Sequence, residues 1–438
     1  MSKNLFIGVD GKARKAKEFY VGVDGKARRI VKAYIGDENG KARPFWEKDN
    51  TQITNSLEFV SDNSFTMSAP KLWDGTLEYN NGNGNGWTTW DGSEISSNAI
   101  GGRQRIYFRG SRNSYIQGVN GSYSNHWKIT GSTVECNGNI ECLLDYQKVA
   151  AGEHPEMGMS CYKEMFTNCS SLTTAPALPA TTLTENCYMN MFYGCYSLIT
   201  APELPATTLA KNCYMNMFCG CSSLTTAPAL PATTLAYSCY SGMFSGCKGF
   251  TTAPELPATT LAESCYYQMF SRCSSLTTAP ELPATTLLMN CYSYMFYGCS
   301  SLTTAPELPA TTLANGCYYN MFRDCKNLVE TPILSSPVRG YCYYGMFSGC
   351  SSLTTAPALP ATTLEQNCYS DMFANTLIKL SSTQSEEYPT PYRVPITGEG
   401  TDAANALSNM FPANGELFTG TPTINTTYYL HKDYSIIS

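Results

Sequence analysis

The sequence predicts a mostly β protein with short helices, in which a solenoid of repeated coils follows a small β-sandwich and an N-terminal β-meander. Three observations support this fold class. A unit of 26 residues recurs between Cys161 and Asn375, short strand-forming runs fill residues 50–135, and a shorter Asp-Gly unit recurs within residues 1–48. A fixed period of about 20–50 residues is typical of solenoids and other repeat folds.

Each unit of the long array has three segments, as the copy that begins at Cys291 shows. Cys-Tyr-x-x-Met-Phe-x-Gly-Cys has apolar residues at helical spacing and predicts a short helix of about two turns. Ser-Ser-Leu-Thr-Thr-Ala is rich in β-formers and predicts a short strand, which Pro306 and Pro309 end because proline cannot donate a backbone hydrogen bond. Ala-Thr-Thr-Leu then continues as extended chain into the next unit.

Stacking of the units places each inward residue above its own copy. No unit can bury its apolar face alone, so each must pack that face against the apolar face of the neighbouring unit. We therefore expect a Met-Phe column that starts at Met165 and Phe166, beside a column of large apolar residues. That second column consists of Leu172, Leu198, Leu224, Phe250, Leu276, Leu302, Leu328 and Leu353.

The chain has 20 cysteines, most of them in two columns formed by Cys-x7-Cys in the repeats. A disulfide framework would explain such a number in a small secreted protein. A repeat consensus explains it without any cross-link, because buried cysteine behaves as a small hydrophobe. We predict reduced structural thiols, with Cys219 at a variable and exposed position.

The motif Phe-x-Gly-Cys-Ser-Ser-Leu-Thr followed by Leu-Pro-x-Thr-x-Leu resembles the BspA-type leucine-rich repeat of bacterial and protozoan surface proteins. The resemblance implies a right-handed, slightly curved solenoid that serves adhesion or recognition. The unit here is a few residues longer, with Cys where that family prefers an aliphatic residue and Met where it prefers Ala. We predict the solenoid with its N-terminal cap over residues 136–376. A C-terminal cap over 377–438 contains a degraded unit at 406–411 and a closing strand at 423–430.

The N-terminal residues divide into two further modules. Residues 1–48 repeat Gly-Val-Asp-Gly-Lys-Ala-Arg and predict a four-stranded meander with turns at Asp10-Gly11, Asp24-Gly25 and Asn39-Gly40. This module resembles N-terminal repeats of proteins encoded by phages and prophages of gut bacteria. Residues 50–135 contain short strand candidates at the spacing of an antiparallel β-sandwich.

Charge and hydropathy limit the partners and the location. The formal net charge is −6, yet residues 1–48 are basic, so this tip suits an acidic partner surface or is simply a solvated strand face. The start of the chain has no apolar segment typical of a signal peptide, and no run reaches transmembrane length. We expect synthesis in a host cytoplasm, no membrane insertion and no nucleic-acid partner.

The sequence contains no recognisable catalytic or cofactor motif. His126, His154 and His431 are far apart, and no P-loop, dinucleotide fingerprint or Gly-x-Ser-x-Gly is present. We predict no catalytic residue, no cofactor and no metal. A hydrolase of surface polysaccharide would need a carboxylate pair in a groove. A column of glutamates would place like charges close together, and solvent or a cation such as calcium would have to relieve their repulsion. This column consists of Glu203, Glu255, Glu281 and Glu307.

Aromatic residues are the candidate ligand-binding residues. A tyrosine follows the first cysteine of each unit, further tyrosines occupy the positions that vary between units, and Trp87 and Trp90, with Trp73, could stack on sugar rings. Each set has an alternative explanation. The tyrosine column could stack only for stability, the varying positions could reflect neutral drift, and the tryptophans could pack in the core. The predicted binding residues are Tyr188, Tyr193, Tyr214, Tyr240, Tyr266, Tyr267, Tyr292, Tyr294, Tyr297, Tyr318, Tyr319, Tyr344, Trp87 and Trp90.

These observations predict a non-enzymatic recognition protein, a phage or prophage tail-fibre or receptor-binding component located in the virion. Residues 1–48 are expected to dock on other virion or tail proteins, and the solenoid to engage a bacterial surface glycan or protein. A homotrimer is the assembly usual for phage fibres. The alternatives are a cell-surface adhesin of a gut bacterium and a virion head decoration protein.

Overall fold

The computed structural model describes residues 55–118, 126–394, 405–413, 420–424 and 426–437, and the backbone of the strands within residues 6–47 and 397–398. It confirms the mostly β class, with a single short helix in the described residues, α1 (Cys142–Ala150). The strands in chain order are β1 (Phe6–Val9), β2 (Lys12–Lys15), β3 (Phe19–Val23), β4 (Lys26–Ile30), β5 (Lys32–Gly36), β6 (Ala42–Glu47), β7 (Leu57–Ser61), β8 (Thr66–Ser68), β9 (Thr76–Asn80), β10 (Thr88–Thr89), β11 (Ile95–Ser96), β12 (Asn98–Ile100), β13 (Arg103–Ser111), β14 (Lys128–Thr130), β15 (Val134–Asn137), β16 (Leu172–Thr174), β17 (Thr355–Pro357), β18 (Thr363–Leu364), β19 (Leu380–Ser381), β20 (Thr390–Arg393), β21 (Thr397–Gly398), β22 (Thr427–Leu430) and β23 (Ser435–Ile437).

The N-terminal repeats form hairpins. Strands β1 and β2, β3 and β4, and β5 and β6 pair antiparallel as three separate two-stranded sheets. These hairpins replace the predicted four-stranded meander, because each repeat unit carries both of its strands and needs no pairing with the next copy. The turns predicted at Asp10-Gly11, Asp24-Gly25 and Asn39-Gly40 lie outside the described residues.

Two sheets with a shared core follow, in agreement with the predicted sandwich. The larger sheet has the order β10-β9-β13-β7-β15-β16, with β12 also paired to β13, and the smaller has the order β11-β8-β14. Their buried side chains form one hydrophobic cluster. Aromatic rings dominate it: Trp90 lies 4.9 Å from Phe108 and 5.2 Å from Trp127 between ring centroids.

The sandwich leads directly into the first coil of the solenoid. Strand β15 spans the boundary predicted at residue 135, and it pairs antiparallel with β7 and parallel with β16 of the first repeat. The Trp127 ring lies 6.0 Å from Phe166, the first phenylalanine of the repeat column. The sandwich therefore caps the solenoid and covers the end of its core.

The Cys-Tyr-x-x-Met-Phe segment of each coil is a run of turns whose N–H groups alternate between two kinds of acceptor. We number the coils by their first cysteine, so the first coil begins at Cys161 and the sixth at Cys291. In the sixth coil, the N–H groups of Tyr292 and Phe296 donate to carbonyls of the next coil, Cys317 at 3.0 Å and Met321 at 2.9 Å. The N–H of Met295, in contrast, donates to Tyr292 three residues back at 3.2 Å. Alternate backbone groups thus bind adjacent coils together, as in a parallel sheet.

The helix predicted in each unit is therefore wrong. A helix would bond every N–H within the segment, whereas here one residue in four has a left-handed backbone, for example Asn290 (φ 55°), Tyr294 (φ 55°) and Gly298 (φ 71°). Apolar pairs recur every four residues because the turns recur every four residues. Over so short a segment that spacing cannot be distinguished from the 3.6-residue period of a helix.

The predicted core columns are confirmed. The eight large apolar residues of the column that runs from Leu172 to Leu353 are each at most 2 % exposed. Every Met-Phe pair of the nine repeats is fully buried. The phenylalanine rings stack from coil to coil with centroids 5.5–5.9 Å apart from Phe166 to Phe373. Each coil therefore buries the apolar face of the coil next to it.

The strand predicted in each unit is reduced to single parallel bridges in most coils. Threonines of adjacent coils pair one to one, as Thr252 with Thr278 and Thr278 with Thr304. The Pro-x-Leu-Pro segment that follows lacks the donors that a longer ladder would need. Only the first and eighth units extend the pairing, in β16 and β17.

All 20 cysteines are unpaired, and only Cys219 is partly exposed. The thiol of the second cysteine in a unit donates to the phenylalanine carbonyl of the preceding coil, for example Cys299 Sγ to Phe270 O at 3.1 Å. The cysteine therefore fills a tight column and also satisfies a backbone acceptor. Burial raises the pKa of both cysteine columns, so the side chains stay protonated thiols at neutral pH.

The degraded last unit is also confirmed. The N–H groups of Tyr369 and Phe373 donate to the carbonyls of Ala406 and Met410 at 2.9 and 2.7 Å, as in an ordinary pair of coils. Phe411 stacks on Phe373 at 4.9 Å and extends the phenylalanine column by one ring. The predicted closing strand is β22, which pairs with β19 and β20.

Candidate ligand-binding surface

Half of the tyrosines predicted to bind ligand are instead buried in the solenoid. Each follows the first cysteine of a coil and points inward, and each ring stacks nearly parallel on its copies in the neighbouring coils at 5.6–5.9 Å. They are 1 % exposed, so a ligand cannot reach them without unfolding of the coil. These residues are Tyr188, Tyr214, Tyr240, Tyr266, Tyr292 and Tyr318.

The predicted tryptophan platform is also wrong. Trp90 is 2 % exposed and stacks on Trp73 inside the sandwich core at 5.6 Å. Trp87 is half-buried, and the guanidinium of Arg109 lies 4.1 Å from its ring centroid. Arg109 is fixed there by an ion pair with Glu78 at 2.7 Å. The ring that remains near the surface is thus covered by a cation, and the other two are core residues.

Outward-facing tyrosines of four consecutive coils meet on one surface. Between the inward Cys-Tyr and Met-Phe pairs, each coil has two positions that vary between units, and copies in adjacent coils lie about one strand spacing apart, roughly 4.8 Å. From the fifth to the eighth coil these and neighbouring outward positions hold half-buried tyrosines. We name this surface the tyrosine patch; it consists of Tyr267, Tyr294, Tyr297, Tyr319, Tyr341 and Tyr344.

Ring contacts join the tyrosine patch into one cluster. Tyr294 is its centre, with centroid distances of 5.8 Å to Tyr267, 5.9 Å to Tyr297 and 5.2 Å to Tyr319. Tyr319 stacks on Tyr344 at 4.7 Å with the rings 4° from parallel. Mutual packing reduces the mobility of the rings, which makes them suitable as rigid contact residues.

Tyr341 and Tyr193 mark the limits of the patch. Tyr341 lies 6.4 and 6.1 Å from Tyr319 and Tyr344 and belongs to it. Tyr193, another predicted binding residue, is 38 % exposed on the second coil, four coils from Tyr297. It is therefore not part of the same surface.

Polar groups surround the rings. The Arg272 guanidinium lies 5.7 Å from the Tyr297 centroid, and Arg323 lies 4.0 Å from the Asp324 carboxylate. Asn320, next to Tyr319, is 1 % exposed, and its side-chain oxygen has no hydrogen-bond partner within the described part of the chain. The side-chain oxygen of Asn190, at the equivalent position of the second coil, is also without a partner among the described residues, so this feature belongs to the repeat and does not distinguish the patch.

The hydroxyls of Tyr319 and Tyr344 stay protonated at physiological pH. Burial raises the pKa of Tyr319 to about 12, and Tyr294 adds to this effect. A hydrogen bond to the Asp371 carboxylate, together with burial, raises the pKa of Tyr344. These two residues of the patch therefore present neutral phenols that can donate and accept hydrogen bonds.

The BspA type leucine rich repeat region model matches residues 153–277 and 238–376, in six copies. The two ranges together span about half of the chain. The chain belongs to the BspA-type leucine-rich repeat family. No curated protein and no solved structure matches it. The matched range begins at residue 153, so the resemblance of residues 1–48 to phage-encoded repeats stays a prediction.

Other faces of the BspA-type solenoid show less chemistry. Glu203, Glu255, Glu281 and Glu307 are exposed beside shallow grooves between the proline segments of adjacent coils. Across the described ranges, no three His, Cys, Asp or Glu side chains form a group that could hold a metal ion. No helix in the part of the chain that the structure describes has the length and apolar character that a membrane span requires.

Two members of the patch have backbone conformations that are unfavourable for tyrosine. Tyr294 and Tyr341 have φ angles of 55° and 59°, in the left-handed region. Other coils of the BspA-type array place mostly smaller or polar residues there, such as Asn290 at the position of Tyr341 and Gln268 and Gly345 at that of Tyr294. The left-handed conformation is regular in this repeat, but it is less favourable for a bulky tyrosine than for Asn or Gly, so these two positions are strained.

The sequence named five of the six patch residues and missed Tyr341. It lies directly before Cys342, the first cysteine of the eighth coil, where the other units have Ser, Asn or Gly. A tyrosine in a column of residues that favour left-handed backbone is a visible exception, and it could have been noticed without the structure.

Replacing Tyr341 by asparagine is expected to stabilise the protein by up to about 1 kcal/mol, because asparagine tolerates the left-handed backbone and tyrosine does not. Urea unfolding followed by circular dichroism measures the change. The matched control is Tyr237→Asn on the third coil, whose backbone is not left-handed and which should be neutral or slightly destabilised. A loss of 1 kcal/mol or more at Tyr341 would contradict the strain argument.

Proposed function

We propose that this protein is a non-enzymatic recognition component of a phage or prophage tail, and that the tyrosine patch of its solenoid contacts a receptor on the bacterial surface. In this proposal residues 1–48 attach the chain to other tail proteins, and the protein is located in the virion. The observation that carries the proposal is the tyrosine patch itself: six clustered rings, two of them on strained backbone, on a rigid stack of coils.

The physical argument concerns rigidity and composition. Tyrosine supplies a large amphipathic contact area with few rotatable bonds, and surfaces rich in Tyr with Ser, Asn and Arg are typical of recognition sites. The hydrogen bonds between coils fix the backbone under each ring, so little conformational entropy is lost on binding.

The direct test compares two double variants of the full chain. Labelled protein is incubated with a panel of intact gut bacteria, and bound protein is measured by flow cytometry. Tyr319→Ala with Tyr344→Ala should weaken binding at least tenfold, as expected for central contact residues. The control pair, Tyr196→Ala with Tyr237→Ala, removes exposed tyrosines outside the patch and should bind like the wild type.

Two results would overturn the proposal. If the wild type bound no bacterium, or if both pairs bound equally, the patch would not be a receptor site. Mass spectrometry and immunogold labelling of purified particles test the tail location. Label on the capsid would indicate a head decoration protein, and label only on bacterial cells an adhesin.

A further inference from the structure

The tyrosine patch is small for a protein partner. A tyrosine ring contributes about 150–250 Å² of surface when fully accessible. Six half-buried rings therefore leave on the order of a few hundred Å² for contact. A stable protein–protein interface needs about 800 Å² from each partner. The patch is better matched in size to a short segment of a narrow polymer.

The charges at the patch balance. Arg272 and Arg323 are offset by Asp324 and Asp371. Each of these groups already has a contact: Arg323 with Asp324, Arg272 with the Tyr297 ring, and Asp371 with the Tyr344 hydroxyl. Strong binding of a phosphate-rich polymer requires a clear excess of Lys and Arg. The electrostatics therefore favour an uncharged ligand.

The rings repeat along the solenoid axis at the spacing of the coils. Patch residues come from four consecutive coils, and each step is about one strand spacing, roughly 4.8 Å. An extended peptide advances about 3.3 Å per residue, so equivalent residues of a peptide would not coincide with successive coils. One pyranose unit of an extended sugar chain has a length close to the coil spacing.

We infer that the receptor bound by the tyrosine patch is an uncharged linear polysaccharide that lies along the solenoid axis with about one sugar unit per coil. This inference rests on the proposed function and specifies its ligand. The rings pack against the apolar faces of the sugars, with Tyr319 and Tyr344, which are stacked on each other, contributing their edges. The phenol hydroxyls bind sugar hydroxyls, because each can both donate and accept a hydrogen bond.

The first experiment separates glycan from protein. Cells that bind the wild-type chain are extracted into a protease-treated polysaccharide fraction and a periodate-treated protein fraction, and each competes for binding to the intact cells. The polysaccharide fraction should abolish binding and the protein fraction should not. Competition by the protein fraction alone would overturn the inference while leaving the recognition function intact. Absence of binding to any cell would overturn both.

The second experiment tests the orientation. Oligosaccharides released from the competing fraction are separated by length and titrated against the full chain by calorimetry. Affinity should rise about tenfold between two and four sugar units and then level off. Tyr267→Ala and Tyr344→Ala, at opposite ends of the patch, should each make the affinity level off at a shorter length. An affinity independent of length, or unchanged by both variants, would contradict binding along the axis.

Discussion

Replacing Phe296 by alanine is expected to lower the free energy of unfolding by about 3–5 kcal/mol. The ring is fully buried, and it stacks between Phe270 at 5.8 Å and Phe322 at 5.6 Å. Its removal leaves a cavity in the middle of a continuous column and takes a packing partner from each adjacent coil. In a solenoid the interfaces between neighbouring coils supply most of the stability, so both interfaces of this coil weaken.

Chemical denaturation provides the measurement, with Tyr237→Ala as the control. Tyr237 is 47 % exposed on the third coil, and its loss should change the free energy of unfolding by less than about 1 kcal/mol. If the two variants were equally stable, the phenylalanine column would not be the core of the fold.

The second large effect is expected when a deletion breaks the 26-residue period of the repeats, whereas deletion of a whole unit should be tolerated. Deletion of residues 213–238 removes one complete coil and joins Asn212 to Cys239, so every column stays in register. We expect this variant to fold with a single cooperative transition and a proportionally smaller dependence of the free energy on denaturant concentration, because less surface is exposed on unfolding.

Deletion of residues 213–225 is the matched control, since it removes half of the same unit. It joins Asn212 to Thr226, so the segment of turns is missing from this unit. The hydrogen bonds between this unit and its neighbours are then misaligned. We expect no cooperative transition and no native far-UV circular dichroism spectrum. Equal folding of the two deletions would show that the coils do not stack in register.

The sequence predicted the stacking well, because a fixed period reports long-range neighbours directly. Once Cys291 and Cys317 occupy equivalent positions, their columns follow without knowledge of the local backbone. The burial of the cysteine, methionine and phenylalanine columns could therefore be read from the repeat alone.

The local backbone was predicted less well, for a physical reason. Inward pairs four residues apart suit a helix and a run of four-residue turns equally, and the choice depends on hydrogen bonds to another coil. Asn290 and Gly298, four residues either side of Tyr294, carry the missing signal, because both residue types favour left-handed backbone. The same turns allow Cys291 and Tyr292, adjacent in sequence, both to point inward, which explains why the tyrosine column was assigned to the surface.

The candidate site was predicted in part. The varying outward positions of the repeats include most of the tyrosine patch, because exposed positions are those that a repeat core does not constrain. That Tyr267, Tyr294, Tyr319 and Tyr344 form one cluster depends on the stacking of their four coils and on ring orientations that no single unit encodes.

Counting reactive thiols tests the stacked-coil account most directly. In the native protein, only Cys219 of the 20 cysteines is partly exposed, and burial raises the pKa of the others and slows their attack on a reagent. Ellman's reagent should therefore modify no more than one thiol in the folded chain, and all 20 in guanidinium chloride without prior reduction. Several reactive thiols in the native state, or fewer than 20 in the denatured state, would contradict the account.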